Sequence, residues 1–145
     1  MAVSIYLDAS VIVALFTEDY FTDRAATLLA SKADAVIISD FAAVEFSSVI
    51  ARFVRGRSIT EEQARTVLAD FDSWSERACQ RVTTDGAIIS RAETFLRRMD
   101  TPLRTADAIN IAIAEVLRAT LMTFDDKMSA AARVLGLPLV TASHH

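Results

Sequence analysis

A single cysteine, two prolines, three glycines and no long apolar run set the first limits on this chain. Cys79 has no partner for an internal disulfide, so the fold must rest on a packed core, and the thiol reads as a small buried hydrophobe in a reducing cytoplasm. So few Gly and Pro beside 52% hydrophobic residues exclude a disordered or loop-dominated polypeptide. The longest strictly apolar stretch, 11–16, is far too short to cross a bilayer, even with a mean hydropathy of +0.32. No Lys or Arg precedes Arg24, so the basic start of a secretory signal is missing. No glycine-rich turn follows the first apolar segment, which excludes a dinucleotide-binding fold. The only histidines, His144 and His145, close a tail over 143–145, native or left from a tag, and enter no argument. A cytoplasmic protein without a membrane anchor is the expectation.

The 145 residues fit one domain, expected over 1–142, with enough length for a sizeable core. The net charge of −4 weighs against a broad, sequence-blind nucleic-acid binder, which normally shows a basic surface. An enzyme acting on phosphodiesters stays open, because acids that hold a metal inflate the negative count.

Punctuation along the chain predicts alternating strands and helices. Short apolar strands are expected at 3–7, 36–39, 80–83, 121–124 and 139–140. Helices are expected at 10–16, 20–31, 40–55, 60 to beyond Trp74, 85–98, 105–118 and 126–135. Asp40 offers an N-cap, Thr60 and Gln63 have the spacing of a capping box, and Gly56 and Gly136 stop helices. Near-continuous apolar strands joined by helical crossovers suit a parallel sheet covered on both faces. The fold class is therefore α/β, a three-layer α/β/α sandwich around a central, mainly parallel sheet of about four to five short strands.

Four carboxylates stand against this apolar background. Asp8 ends the first strand, Glu45 sits in an apolar helix, Asp107 interrupts Ala106-Asp107-Ala108-Ile109, and Asp125 follows Leu121-Met122-Thr123-Phe124. Burying a carboxylate without a partner costs several kcal/mol, and no Lys or Arg lies within ten residues of Asp8. A missing internal counter-charge points to an external one, most simply a divalent metal. Asp8 and Asp125 both follow strands, so both reach the carboxyl edge of the sheet, where open α/β folds bind ligands. Glu45 lies early in its helix, and Asp107 in the first turn of its own with Thr105 as the expected cap, so both can reach the same edge. Simpler uses remain open for each: Asp8 as a turn cap, Glu45 as a solvated helix residue, Asp107 as a helix-dipole partner, and Asp125 or, better, Asp126 as a cap.

In this order and placement, Tyr6-Leu7-Asp8-Ala9-Ser10-Val11, Glu45, Arg104-Thr105-Ala106-Asp107-Ala108-Ile109 and Leu121-Met122-Thr123-Phe124-Asp125 resemble the PIN-domain ribonucleases, and among them the VapC-type toxins of bacterial toxin–antitoxin pairs. The resemblance covers nearly the whole chain. It departs at Asn110, where many relatives carry His, so no histidine acid–base step is expected.

The resemblance implies a divalent-metal-dependent endoribonuclease that leaves 5′-phosphate and 3′-hydroxyl ends. Asp8 and Asp107 would bind Mg²⁺ directly, with Mn²⁺ able to substitute. Glu45 and Asp125 would act through waters, at a second metal position, or by orienting the attacking water. The absence of Cys and His among the acids disfavours zinc. Ser10 and Thr123 are expected to hydrogen-bond the ligands. Arg52, Arg55 and Arg57 form one candidate RNA-contact group, and Arg97, Arg98 and Arg104 another; helix C-termini on a solvated surface explain either group equally well. A small antitoxin and a second copy of the chain are the implied protein partners. The helix holding Val11, Ile12, Leu15 and Phe16 is apolar on more than one side and could face either. Two rivals stand beside this reading: a catalytically silent PIN-like binding module, and a phosphoacceptor receiver domain, whose expected order of acids fits poorly.

Overall fold

The computed structural model describes residues 3–18, 22–32 and 34–141. In chain order its elements are β1 (Ser4–Leu7), α1 (Ala9–Phe16), α2 (Thr22–Lys32), β2 (Ala35–Ser39), α3 (Asp40–Arg55), α4 (Glu61–Ala78), β3 (Gln80–Val82), α5 (Gly86–Arg97), α6 (Thr105–Leu117), β4 (Thr120–Met122), α7 (Asp126–Val134) and β5 (Leu139–Val140). All strand pairings are parallel, in the order β3-β2-β1-β4-β5. The expected start of the second helix at residue 20, like the tail at 143–145, lies outside the described residues. Among the described residues, no helix is long and apolar enough to cross a membrane.

Two cores follow from the strand period of two. Ile5, Leu7, Ile38 and Met122 face the layer of α1 to α4, whereas Tyr6, Ile37 and Leu121 face α5 to α7. On the first side Phe16, Phe46, Phe71 and Trp74 form an aromatic cluster, with the Phe46 and Phe71 rings 4.7 Å apart. The apolar surplus of α1 goes largely here: Val11, Ile12 and Ala14 are fully buried, and Val13, Leu15 and Phe16 pack partly buried against the same core. Cys79 is half-buried at that core's margin, and burial pushes its thiol up to about 11, away from reactivity.

Three caps differ from expectation. Ser39, still extended, caps α3 by accepting from Ala42 N–H at 2.9 Å, and Asp40 is already helical. The Asp40 carboxylate instead accepts from Phe41 N–H and from both the backbone and hydroxyl of Thr84, tying the end of β2 to the end of β3. At α6 the cap position belongs to Arg104, not Thr105; Arg has no acceptor, so Asp107 closes that end by accepting Arg104 N–H at 3.3 Å. At α7 Asp125, not Asp126, accepts from Met128 N–H at 2.9 Å. The capping box of Thr60 and Gln63 forms as expected, and Gly136 takes a left-handed φ of +78° just past α7.

The strand order places the site. From central β1 the chain winds outward through β2 to β3, then returns to β4 on the other side of β1 and ends at β5. A crevice opens at such a reversal, outside the carboxyl ends of the two strands that flank it, here β1 and β4. A receiver domain has the order 2-1-3-4-5, so this topology excludes that rival.

Candidate active site

Asp8 occupies the crevice as the last residue before α1. It is 3% exposed and caps the helix by accepting from Val11 N–H at 3.2 Å. Capping does not exhaust it. Its Oδ1 accepts the Ser10 hydroxyl and its Oδ2 the Thr123 hydroxyl, both at 2.6 Å. Those hydroxyls are themselves fixed, since Ser10 Oγ accepts from Phe124 N–H and Thr123 Oγ1 from Asp125 N–H. Burial pushes the Asp8 carboxyl up to about 6 despite these hydrogen bonds, and the charge of Asp125 adds to the push. Among the described residues, no Lys or Arg stands within ion-pairing distance of Asp8 or Glu45.

The other two acids do have an internal cation, contrary to the sequence expectation. Arg104 Nε lies 3.3 Å from Asp107 Oδ2, and its Nη2 lies 3.5 Å from Asp125 Oδ2. Four positions upstream of the apolar core of α6, Arg104 folds back over the helix start that Asp107 closes. Asp107 itself is 3% exposed, while the Arg104 side chain is 65% exposed. The guanidinium thus bridges two carboxylates from the solvent side.

Glu45, about a turn and a half into α3, is half-buried and accepts from Asn110 Nδ2 at 2.9 Å. Burial raises its pKa against that hydrogen bond, and the charges of Asp8 and Asp107 raise it further. The helices on opposite faces of the sheet therefore meet above its carboxyl edge.

All four acids line one cleft of about 250 Å³, together with Ser10, Arg104 and Asn110. They come from every layer: Asp8 and Asp125 from strand ends, Glu45 from α3, Asp107 from α6. The convergence is looser than a metal cage. Among the described residues, no three acidic, His or Cys side chains are arranged to enclose an ion. Of the candidate arginines only Arg104 reaches the cleft. Arg52 and Arg55 lie in the last turn of α3, with Arg55 roughly 15 Å along the helix from Glu45. Arg97 pairs with Glu93 and Arg98 with Asp100.

Sequence reasoning missed Tyr6 and Ser39. Tyr6 is fully buried, and its hydroxyl lies 2.7 Å from Ser39 Oγ and 2.6 Å from Asn110 Oδ1. The available signal was a lone hydroxyl-bearing aromatic in a central apolar strand, since a buried Tyr must find a polar partner.

The PIN domain family model matches residues 5–134. The chain belongs to the PIN domain family. No curated protein matches this PIN domain in sequence. Solved structures do match its fold. One is VapC20 of Mycobacterium tuberculosis, a Sarcin-Ricin loop cleaving toxin, at 23% identity and TM-score 0.71, covering 92% of this chain and 95% of that one. VapBC2 of Rickettsia felis, bound to a DNA fragment from their promoter, matches at 17% identity and TM-score 0.69, covering 97% and 99%. FitAcB of Neisseria gonorrhoeae matches at 16% identity and TM-score 0.66, covering 93% and 95%. The α/β sandwich expected from the residues, and the PIN fold that the resemblance implied, are thus what is observed.

Proposed function

We propose that this PIN domain is a divalent-metal-dependent endoribonuclease and the toxin of a toxin–antitoxin pair. The observation that carries the reading is Asp8: a buried carboxylate, facing a cleft with three further acids, with no cation among the described residues paired to it. The donor set fits Mg²⁺ or Mn²⁺, which prefer oxygen and are bound by one or two carboxylates with several waters retained. The VapC20 neighbour, a Sarcin-Ricin loop cleaving toxin, supports the toxin assignment.

Asp8 and Asp107 would hold the ion directly, with Glu45 and Asp125 joined through water or at a second position. When bound, the ion supplies positive charge to the phosphoryl oxygens and acidity to the attacking water. The chain's own residues then set orientation. Ser10 and Thr123 keep both Asp8 oxygens aimed, and Glu45 stands across the cleft to orient the water that attacks phosphorus. Cleavage of the P–O3′ bond leaves 5′-phosphate and 3′-hydroxyl ends. Arg104, freed as the ion neutralises Asp107 and Asp125, would meet the RNA phosphate. Arg52, Arg55 and Arg57 would touch RNA only beyond the cut.

The partner would be an antitoxin that sets a basic side chain among the acids, where Arg104 now lies. A groove of about 990 Å³ with a mixed lining, in which Phe16, Phe53, Ile59 and Val67 stand beside Glu18 and Glu62, offers its chain a path past the end of α1. A second copy completes the expected assembly.

The reading is tested by incubating purified protein with a mixed cellular RNA pool in Mg²⁺, Mn²⁺ or EDTA. Discrete, metal-dependent products with 5′-phosphate ends are expected. No cleavage in either metal by folded, partner-free protein would make the chain a binding module instead. Two variants probe the parts. Thr123→Val is expected to weaken Mn²⁺ binding about 10–100-fold, as loss of a ligand's hydrogen-bond partner commonly does; unchanged affinity in calorimetry would leave Thr123 a packing residue. Arg104→Ala is expected to tighten Mn²⁺ several-fold yet slow cleavage, whereas weakened Mn²⁺ binding would show that Arg104 does not compete with the ion.

A further inference from the structure

We propose that Tyr6 is a positioning residue of this site, whose buried hydroxyl fixes the amide of Asn110 so that Asn110 holds Glu45 in the cleft. The inference rests on the nuclease reading and deepens it. Tyr6 sits on central β1 with its ring in the core beneath α6, where an apolar residue would need no partner at all. Its hydroxyl instead joins two polar side chains, Ser39 and Asn110, in a chain of hydrogen bonds whose proton directions are all determined.

Asn110 settles the first. Its side-chain nitrogen faces the Glu45 carboxylate at 2.9 Å and the Ala106 carbonyl at 3.1 Å. Both are acceptors, so the NH₂ group must point there and Oδ1 must point to Tyr6. Tyr6 O–H therefore donates to Oδ1. Its single proton is then spent, so the Ser39 hydroxyl donates to the Tyr6 oxygen, while Ser39 Oγ accepts from Ala42 N–H. Donation runs one way, from the first turn of α3 through Ser39, Tyr6 and Asn110 to Glu45. Ala42 N–H is one of the free donors at a helix start, so the positive end of the α3 dipole feeds the same direction. Chains of aligned hydrogen bonds polarise one another, most strongly where water is excluded.

The arrangement has a specific consequence. Without the Tyr6 hydroxyl, Asn110 Oδ1 is buried with no donor, and only the contacts of its NH₂ group with Glu45 and Ala106 still hold the amide. The amide then moves more freely about its side-chain bonds, and Glu45, which it holds, moves with it. Tyr6 supplies the third hydrogen bond, on the opposite side of the amide, that keeps Asn110 in one position.

The experiment compares wild type, Tyr6→Phe, Asn110→Ala and the double variant, well below their melting temperatures. Tyr6→Phe is expected to lower kcat about 10-fold, the scale of lost support to a site residue, with KM for RNA unchanged. In the Asn110→Ala background the same change should add less than about 2-fold, because the relay is already cut. A purely structural Tyr6 would lower Tm in both backgrounds and leave kcat unchanged, or act independently of Asn110; either result overturns the proposal. A second readout needs no activity, only that Tyr6→Phe stays folded. The Asn110 side-chain NH₂ pair, identified in NMR by its loss in Asn110→Ala, should be a single slowly exchanging pair in wild type and exchange at least about 10-fold faster in Tyr6→Phe. Rapid exchange or doubled signals in wild type would overturn the relay on their own. Absence of wild-type cleavage would overturn the nuclease reading, and the catalytic role of Tyr6 with it; wild-type cleavage with unaltered kcat in Tyr6→Phe overturns the relay alone.

Discussion

Asp107→Asn is expected to abolish RNA cleavage, by at least about 1000-fold, while leaving the metal-free Tm within about 3 °C of wild type. The activity loss follows from the role proposed for Asp107 as a direct metal ligand, since an ion contributes several kcal/mol of transition-state stabilisation. The small change in stability follows from what Asp107 touches. Its one structural task is to accept Arg104 N–H at 3.3 Å, and an Asn carbonyl can do the same. The ion pair that is lost has a largely exposed arginine on one side, and such pairs add little. Cleavage assays beside thermal melts in EDTA separate the outcomes. A drop in Tm well beyond that range, with proportionate loss of activity, would make Asp107 a structural residue of the α6 start.

Asp8→Asn is expected to behave differently, raising stability in EDTA by up to about 3 kcal/mol at pH 7. The folded-state pKa of Asp8 is pushed up to about 6 by burial, from 3.8 as a free side chain. Between those values the folded protein binds more protons than the unfolded chain. Stability contributed by this group is therefore lost as pH rises through that window, and the full cost is present above about pH 6. Asn carries no charge to desolvate, so the advantage of the variant should be small near pH 4 and grow to a plateau by pH 7. Part of it is offset where the Asn amide meets the Ser10 and Thr123 hydroxyls, which now donate to a carboxylate. Saturating Mn²⁺ should shrink or reverse the difference, because the ion stabilises only the protein that binds it. Melts across pH 4–7 check this; a Tm difference independent of pH would mean that Asp8 carries no desolvation cost.

Both cases show how far residues could be read in order. Most strands were legible because each is two to five residues of mostly apolar sequence between helix punctuation, and their continuity on both faces announced a parallel sheet; β3, Gln80-Arg81-Val82 at the sheet edge, is the polar exception. Asp8 and Asp125 were legible as site residues because they follow strands, and in such sheets strand ends define the binding edge. What escaped is contact across long sequence separation. Tyr6 and Asn110 are 104 positions apart, and nothing local in either segment marks the hydrogen bond between them. Arg104 was visible as a basic residue near Asp107, but its reach to Asp125 depends on how α6 meets α7. Caps failed by single residues: Ser39 and Asp40 are both good N-caps, as are Asp125 and Asp126, so backbone geometry decides. Arg52 and Arg55, grouped with RNA contacts by charge, prove to lie at the far end of α3, where a cation complements the helix dipole.

In the proposed nuclease these four acids form a centre for one or more divalent ions. Crystals grown with Mn²⁺ and measured at its absorption edge test it most directly. An anomalous peak is expected in the cleft between Asp8 and Asp107, with the Arg104 guanidinium displaced from Asp107. A cleft without a peak at saturating Mn²⁺, with Arg104 still bridging Asp107 and Asp125, would contradict it.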